Sequence, residues 1–106
     1  MMQVRISSRK CEVPEAAKRR AEQRIQKMVR YDARLSAAEV VFSEERHVRK
    51  VEGILSLDGS EPLVATGEGD QFLEAVDRLC ERLNRRLRRR RAALKERRVG
   101  SGDGSV

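Results

Sequence analysis

The chain has 106 residues, a formal net charge of +7 and 39% hydrophobic residues, which suits one domain with a modest core. Only 3% of residues are aromatic, so the core must be aliphatic. No apolar run approaches the roughly 20 residues of a membrane span, and the N-terminus has no apolar signal stretch, so a cytoplasmic protein is expected.

In chain order, residues 2–8 alternate apolar and polar, the period of a half-buried strand with Met2, Val4 and Ile6 inward. A helix follows with Pro14 in its first turn, where a missing N–H costs little. Ala17, Ala21, Ile25 and Met28 lay an apolar stripe along it to about Tyr31. Three strand-like runs come next: residues 39–45 around Val40, Val41 and Phe42, residues 48–57 around Val51, Gly53, Leu55 and Leu57, and residues 63–68. The first turn between them is placed near Arg46-His47 and the second at Asp58-Gly59, a dipeptide suited to positive φ. Gly67-Glu68-Gly69 reads as the strand-to-helix turn, with Asp70 as N-cap of the second helix.

That helix carries Phe72, Val76, Leu79, Cys80, Leu83 and Leu87 at a 3.6-residue period. Arg88 to Arg91 then surround it on every side, so it is expected to leave the sheet there, with Leu94 resuming the apolar side. Residues 100–106 lack any apolar pattern and are expected to be disordered, which sets a domain at 1–99 and a tail at 100–106. The fold class is α+β, ordered β-α-β-β-β-α, with four strands and two helices on one face. The other face is open or partly polar.

Charge is concentrated at one end. Residues 82–106 hold ten basic and two acidic side chains, leaving fourteen and fifteen in the rest of the chain. Such a field points to a polyanion, and phosphate backbones fit it. Arg78, Arg82, Arg85, Arg86 and Arg89 run along the second helix beside its apolar stripe, and Lys18, Arg24 and Lys27 along the first. Neighbouring helices would merge these rows into one basic groove, and arginine forks grip phosphate in bidentate fashion. The scarcity of aromatics argues for backbone and shape recognition over base stacking. A solubilising tail is the plain alternative.

Nothing supports an enzyme. His47, the single histidine, falls in a turn, and Cys80 lies on an apolar stripe. Cys11 and Cys80 form no CxxC pair, so no zinc site, metal or cofactor is implied, and reduced packed thiols are expected. Asp77 and Glu81, one helical turn apart, are explained by intrahelical pairs such as Asp77 with Arg78 or Glu81 with Arg85. The glycines build no phosphate-binding loop.

Several stretches are similar to the ribosome hibernation promoting factor family, also called ribosome-associated inhibitors or sigma-54 modulation proteins. They are Gln3-Val4-Arg5-Ile6-Ser7, Glu12-Val13-Pro14-Glu15-Ala16, Lys27-Met28 leading to Tyr31, Ala65-Thr66-Gly67-Glu68-Gly69-Asp70, Ala75-Val76-Asp77 and Leu83-Asn84-Arg85-Arg86-Leu87. The likeness covers residues 2–99. It implies a fold like double-stranded RNA-binding domains, and binding to small-subunit (30S) ribosomal RNA near the decoding channel. Translation would then be blocked in stationary phase or stress by occupying the messenger and transfer-RNA sites. By resemblance, RNA contact falls on Lys18, Arg24, Lys27, Arg82, Arg85, Arg89, Arg91 and Lys95, with Arg5 and Arg9 as weaker candidates. Ser8 stands where the family often has glycine. Leu73 stands where it often has an aromatic, a role Phe72 takes one position earlier. The chain resembles a short form, for which a second hibernation factor is an implied partner in ribosome pairing. Two other readings compete: a general structured-RNA-binding module and a protein-binding modulator of transcription.

Overall fold

A computed structural model describes the backbone of residues 2–104 and the side chains of residues 2–93. The elements are β1 (Gln3–Arg9), α1 (Glu15–Met28), β2 (Leu35–Glu45), β3 (Val48–Leu57), β4 (Leu63–Gly69) and α2 (Phe72–Gly104). This is the expected β-α-β-β-β-α order. The strands lie in sequence order across one sheet. β1 runs parallel to β2, because helix α1 returns the chain to its starting end before β2 begins, and Ile6 sits beside Val40. β2, β3 and β4 form an antiparallel meander, with Phe42 opposite Val51 and Gly53 opposite Ala65.

The two hairpins turn where expected, by different means. Arg46 and His47 both adopt positive φ, 49° and 69°, the pair of left-handed residues that a two-residue turn matched to strand twist requires. The second connection is longer: the Ser60 amide donates to the Leu57 carbonyl at 3.1 Å, and Gly59 supplies the positive φ of 70°.

Both helices cover one sheet face. Ala17, Ala21, Ile25 and Met28 of α1 are buried, the stripe drawn from the sequence, together with Phe42, Val51, Leu55, Leu79 and Leu83. Burying side chains the size of Ile25 and Leu83 contributes about 1.5–3 kcal/mol each. Phe42 and Phe72 meet edge to face with centroids 5.6 Å apart, so Phe72 gives the core its aromatic contact. The opposite face carries Gln3, Arg5, Ser7, Arg9, Glu39 and Glu68, all exposed.

The structure corrects several boundaries. Pro14 is the cap residue of α1, with its carbonyl accepting from the Ala17 and Lys18 amides, one step before the first turn. The helix ends at Met28, and Tyr31 lies in a following turn. At α2 the first-turn acceptor is the Gln71 carbonyl, bonded to the Ala75 amide at 3.0 Å, so the helix begins one residue later than an Asp70 cap implies. Gly67 and Gly69 belong to β4 rather than to a turn. A Cβ on Gly67 would strike the Ala75 carbonyl and the Leu79 amide, so this glycine lets α2 lie directly on the strand backbone.

Among the described residues, Leu87 is the last that α2 buries in the core. The backbone stays helical to Gly104, past the point where composition predicts an irregular tail; extending a formed helix requires only one further hydrogen bond per residue. The side chains of the expected 100–106 tail, and Leu94, lie outside the described residues.

Candidate nucleic-acid interface

The arginines of α2 are arranged by the strand beneath them. β4 is an edge strand, so every second carbonyl along it points away from β3 and lacks a sheet partner. Arg78 donates to the Glu68 carbonyl at 2.8 Å and Arg82 to the Thr66 carbonyl at 2.6 Å. Arg86 donates to the Val64 carbonyl and Arg90 to the Glu61 carbonyl, with Ser60 Oγ 3.3 Å from the Arg90 guanidinium. Four helical residues advance about 6.0 Å and two strand residues about 6.6 Å, so Arg78, Arg82 and Arg86 meet successive free carbonyls of β4, and Arg90 meets Glu61 in the connection before the strand. A guanidinium has five N–H donors. The carbonyl contact occupies a fraction of them, and Arg78, Arg82 and Arg86 remain exposed.

Arg85 and Arg89 are also exposed and belong to no ladder step. Among the described residues, no carboxylate lies within ion-pair distance of Arg82, Arg85, Arg86, Arg88, Arg89, Arg90 or Arg91. Arg78 differs, with Glu74 at 3.1 Å one turn earlier.

The α1 side is less uniform than the expected single groove. Asp77 of α2 accepts from Arg24 at 2.9 Å and Arg20 at 3.1 Å, so an acidic group closes the seam between the helices. Asp77 therefore pairs across helices rather than with Arg78, because adjacent helical residues point in different directions. Glu81 makes no ion pair with Arg85 among the described residues. Lys27 is exposed. Lys18, half-buried, sits about a third of a turn from Arg24 at about 3.6 residues per turn, on the other flank of α1. The Lys95 side chain lies outside the described residues.

A cleft of about 280 Å³ opens where the end of α1 meets α2, lined by Tyr31, Asp32, Asn84, Leu87, Arg88 and Arg91. Arg91 reaches across and donates to the Tyr31 carbonyl. So the arginine run does not simply project into solvent: Arg90 and Arg91 tie α2 back to the body beyond Leu87. Asp32 is the single buried charged side chain among the described residues. Arg34 forks onto it, Nε at 3.0 Å and a terminal nitrogen at 2.7 Å, and the Arg34 amide adds a third bond at 3.1 Å. These Arg34 contacts, against the cost of burial and with Arg91 adding to them, hold the Asp32 carboxyl below its ordinary range.

Other reactive groups are quiet. Burial pushes the Cys80 thiol up to about 11. Cys11 is half-buried with its Sγ 3.7 Å from the Phe42 carbonyl, and His47 is exposed in its turn. Sequence reasoning passed over Arg20, Arg88, Arg90, Tyr31 and Asn84. Arg90 was findable, since it continues the four-residue spacing of Arg78, Arg82 and Arg86. The cleft was not, because it depends on where α1 ends against α2.

Comparison with known proteins bears on the fold and the family. Solved structures share the fold, two of them as follows. The ribosomal subunit interface protein of Coxiella burnetii superposes with a TM-score of 0.78 at 20% identity, covering 86% of this chain and 99% of that one. The N-terminal domain of Thermus thermophilus Protein Y gives 0.69 at 24% identity, covering 80% and 93%. The ribosome hibernation promoting factor of Azotobacter vinelandii is 30% identical over 99 residues, 93% of this chain and 92% of its own length. The protein of that name from Salmonella typhimurium is 28% identical over 95 residues, covering 90% and 99%. The family described as sigma 54 modulation protein / S30EA ribosomal protein matches residues 4–95, from the first strand to the arginine-rich stretch of α2. With that span of the chain accounted for, this protein belongs to the sigma 54 modulation protein / S30EA ribosomal protein family.

Proposed function

We propose that this protein is a cytoplasmic ribosome hibernation factor. It binds small-subunit ribosomal RNA near the decoding channel and silences translation by occupying the space of messenger and transfer RNA. The observation that carries this reading is the arginine surface of α2 from Arg82 to Arg91, free of carboxylate partners among the described residues and braced against β4. The names of the two curated relatives support the assignment to hibernation.

RNA contact is assigned to Arg82, Arg85, Arg86, Arg89 and Arg91 on α2, with Arg78 and Lys95 at its ends and Lys18, Arg24 and Lys27 on α1. The positive charge along α2 suits backbone and shape recognition. The output is steric and makes or breaks no bond.

Co-sedimentation with small subunits in moderate salt, against excess unrelated RNA, tests the reading. Wild type stays with the subunits, and Arg85→Glu/Arg89→Glu, which touches no ladder contact, is released while melting as wild type does. Retention of the reversed variant would remove α2 from the interface; stripping of wild type by competitor RNA would leave only a general RNA binder.

A further inference from the structure

The cleft between the end of α1 and α2 is built from unlike parts that suit one ligand chemistry. Tyr31, 67% exposed, is the single tyrosine of a chain without tryptophan, and both phenylalanines are buried. It lines the cleft and is left out of the hydrophobic core. Leu87 supplies an apolar wall, Asn84 an amide that both donates and accepts, and Arg88 and Arg91 two guanidinium groups. The one acidic lining group, Asp32, has its charge taken up by the Arg34 fork and would not repel a phosphate.

We propose that this cleft receives a single unstacked nucleobase of the bound RNA. The base stacks on Tyr31, presents an edge to Asn84, and places its flanking phosphate against Arg88 and Arg91. A flat aromatic ligand with an attached anion uses all of these groups, whereas a helical RNA backbone uses the arginines alone. The assignment rests on the RNA-binding reading above and adds to it a contact with the base itself. It also reverses the expectation, drawn from aromatic scarcity, that stacking plays no part: one ring in the right place suffices.

Tyr31 reports on its own occupancy, because its emission is the only tyrosine signal in the protein. The full chain is titrated with an RNA hairpin carrying one bulged adenosine and with the same hairpin lacking the bulge. Anisotropy of labelled RNA measures binding, and tyrosine emission, corrected for RNA absorbance, measures stacking. The bulged hairpin should quench Tyr31 and bind more tightly than the regular one. Tyr31→Ala should erase that preference, weakening bulged-RNA binding roughly five- to a hundredfold, while Tyr31→Phe retains it. An exposed residue such as Tyr31 tolerates both changes, and unchanged melting verifies it.

Binding of both hairpins with unaltered emission would overturn the base site and leave the RNA-binding reading standing. Failure to bind either hairpin, or small subunits, would overturn both. Binding of AMP as tight as that of the bulged hairpin would overturn the assignment to RNA in favour of a free nucleotide.

Discussion

Asp32 and Asp77 show how two aspartates on one small protein come to do opposite things. Asp32 is 6% exposed and held by three bonds from Arg34, so Asp32→Asn should destabilise the fold by about 1–3 kcal/mol at neutral pH. Its carboxyl is lowered in the folded state, so the contribution is complete above the ordinary carboxylate range and is lost as pH falls through the folded value. Thermal melts of wild type and Asp32→Asn should therefore converge in strong acid. Asp77 is 43% exposed between Arg20 and Arg24, where solvent screening limits each pair to less than about 1 kcal/mol. Asp77→Asn should cost little stability and free two guanidinium groups, so RNA affinity should rise and its salt dependence steepen. Weaker binding by that variant would show that Asp77 positions the two arginines rather than competing for them.

At the level of elements, α2 and β4 act as one unit. Gly67→Val would force the helix off the strand and should cost more than about 3 kcal/mol, read as a loss in urea midpoint, since overpacking at side-chain positions alone costs about 1–3 kcal/mol. Replacing Arg78, Arg82 and Arg86 together by alanine should uncover the β4 edge carbonyls and promote self-association, seen by size-exclusion chromatography across a concentration series. Much of this architecture was legible in sequence. Alternation located β1 and β3, and short apolar runs marked β2 and β4, although β2 begins at Leu35, four residues before the expected start. The α1 stripe from Ala17 to Met28 was drawn residue by residue, and Arg46-His47 was placed at its turn. Gly67 was misread because a glycine near a strand end signals a turn as readily as a close approach; only the position of Leu79 above it distinguishes them. The arginine ladder was invisible for a related reason. The basic side chains were countable, but their acceptors are backbone carbonyls that carry no sequence signature.

For the whole molecule, the dimensions of 57 × 28 × 17 Å reflect a long α2 laid across a small sheet. Its charge makes RNA binding salt-dependent, and each arginine removed from a phosphate contact should lower the slope of log affinity against log salt by about 1. The paired helix and strand also constrain how this chain can change in length. Deleting one residue between Arg78 and Arg90 would turn every later guanidinium by about 100° and leave its carbonyl bare. Of these contacts the connection at residues 58–62 carries only those of Arg90 with Ser60 and Glu61, so an addition there should disturb that last step and leave the steps at Arg78, Arg82 and Arg86 in place. Insertions and deletions, more than substitutions, are what this half of the protein is least equipped to survive.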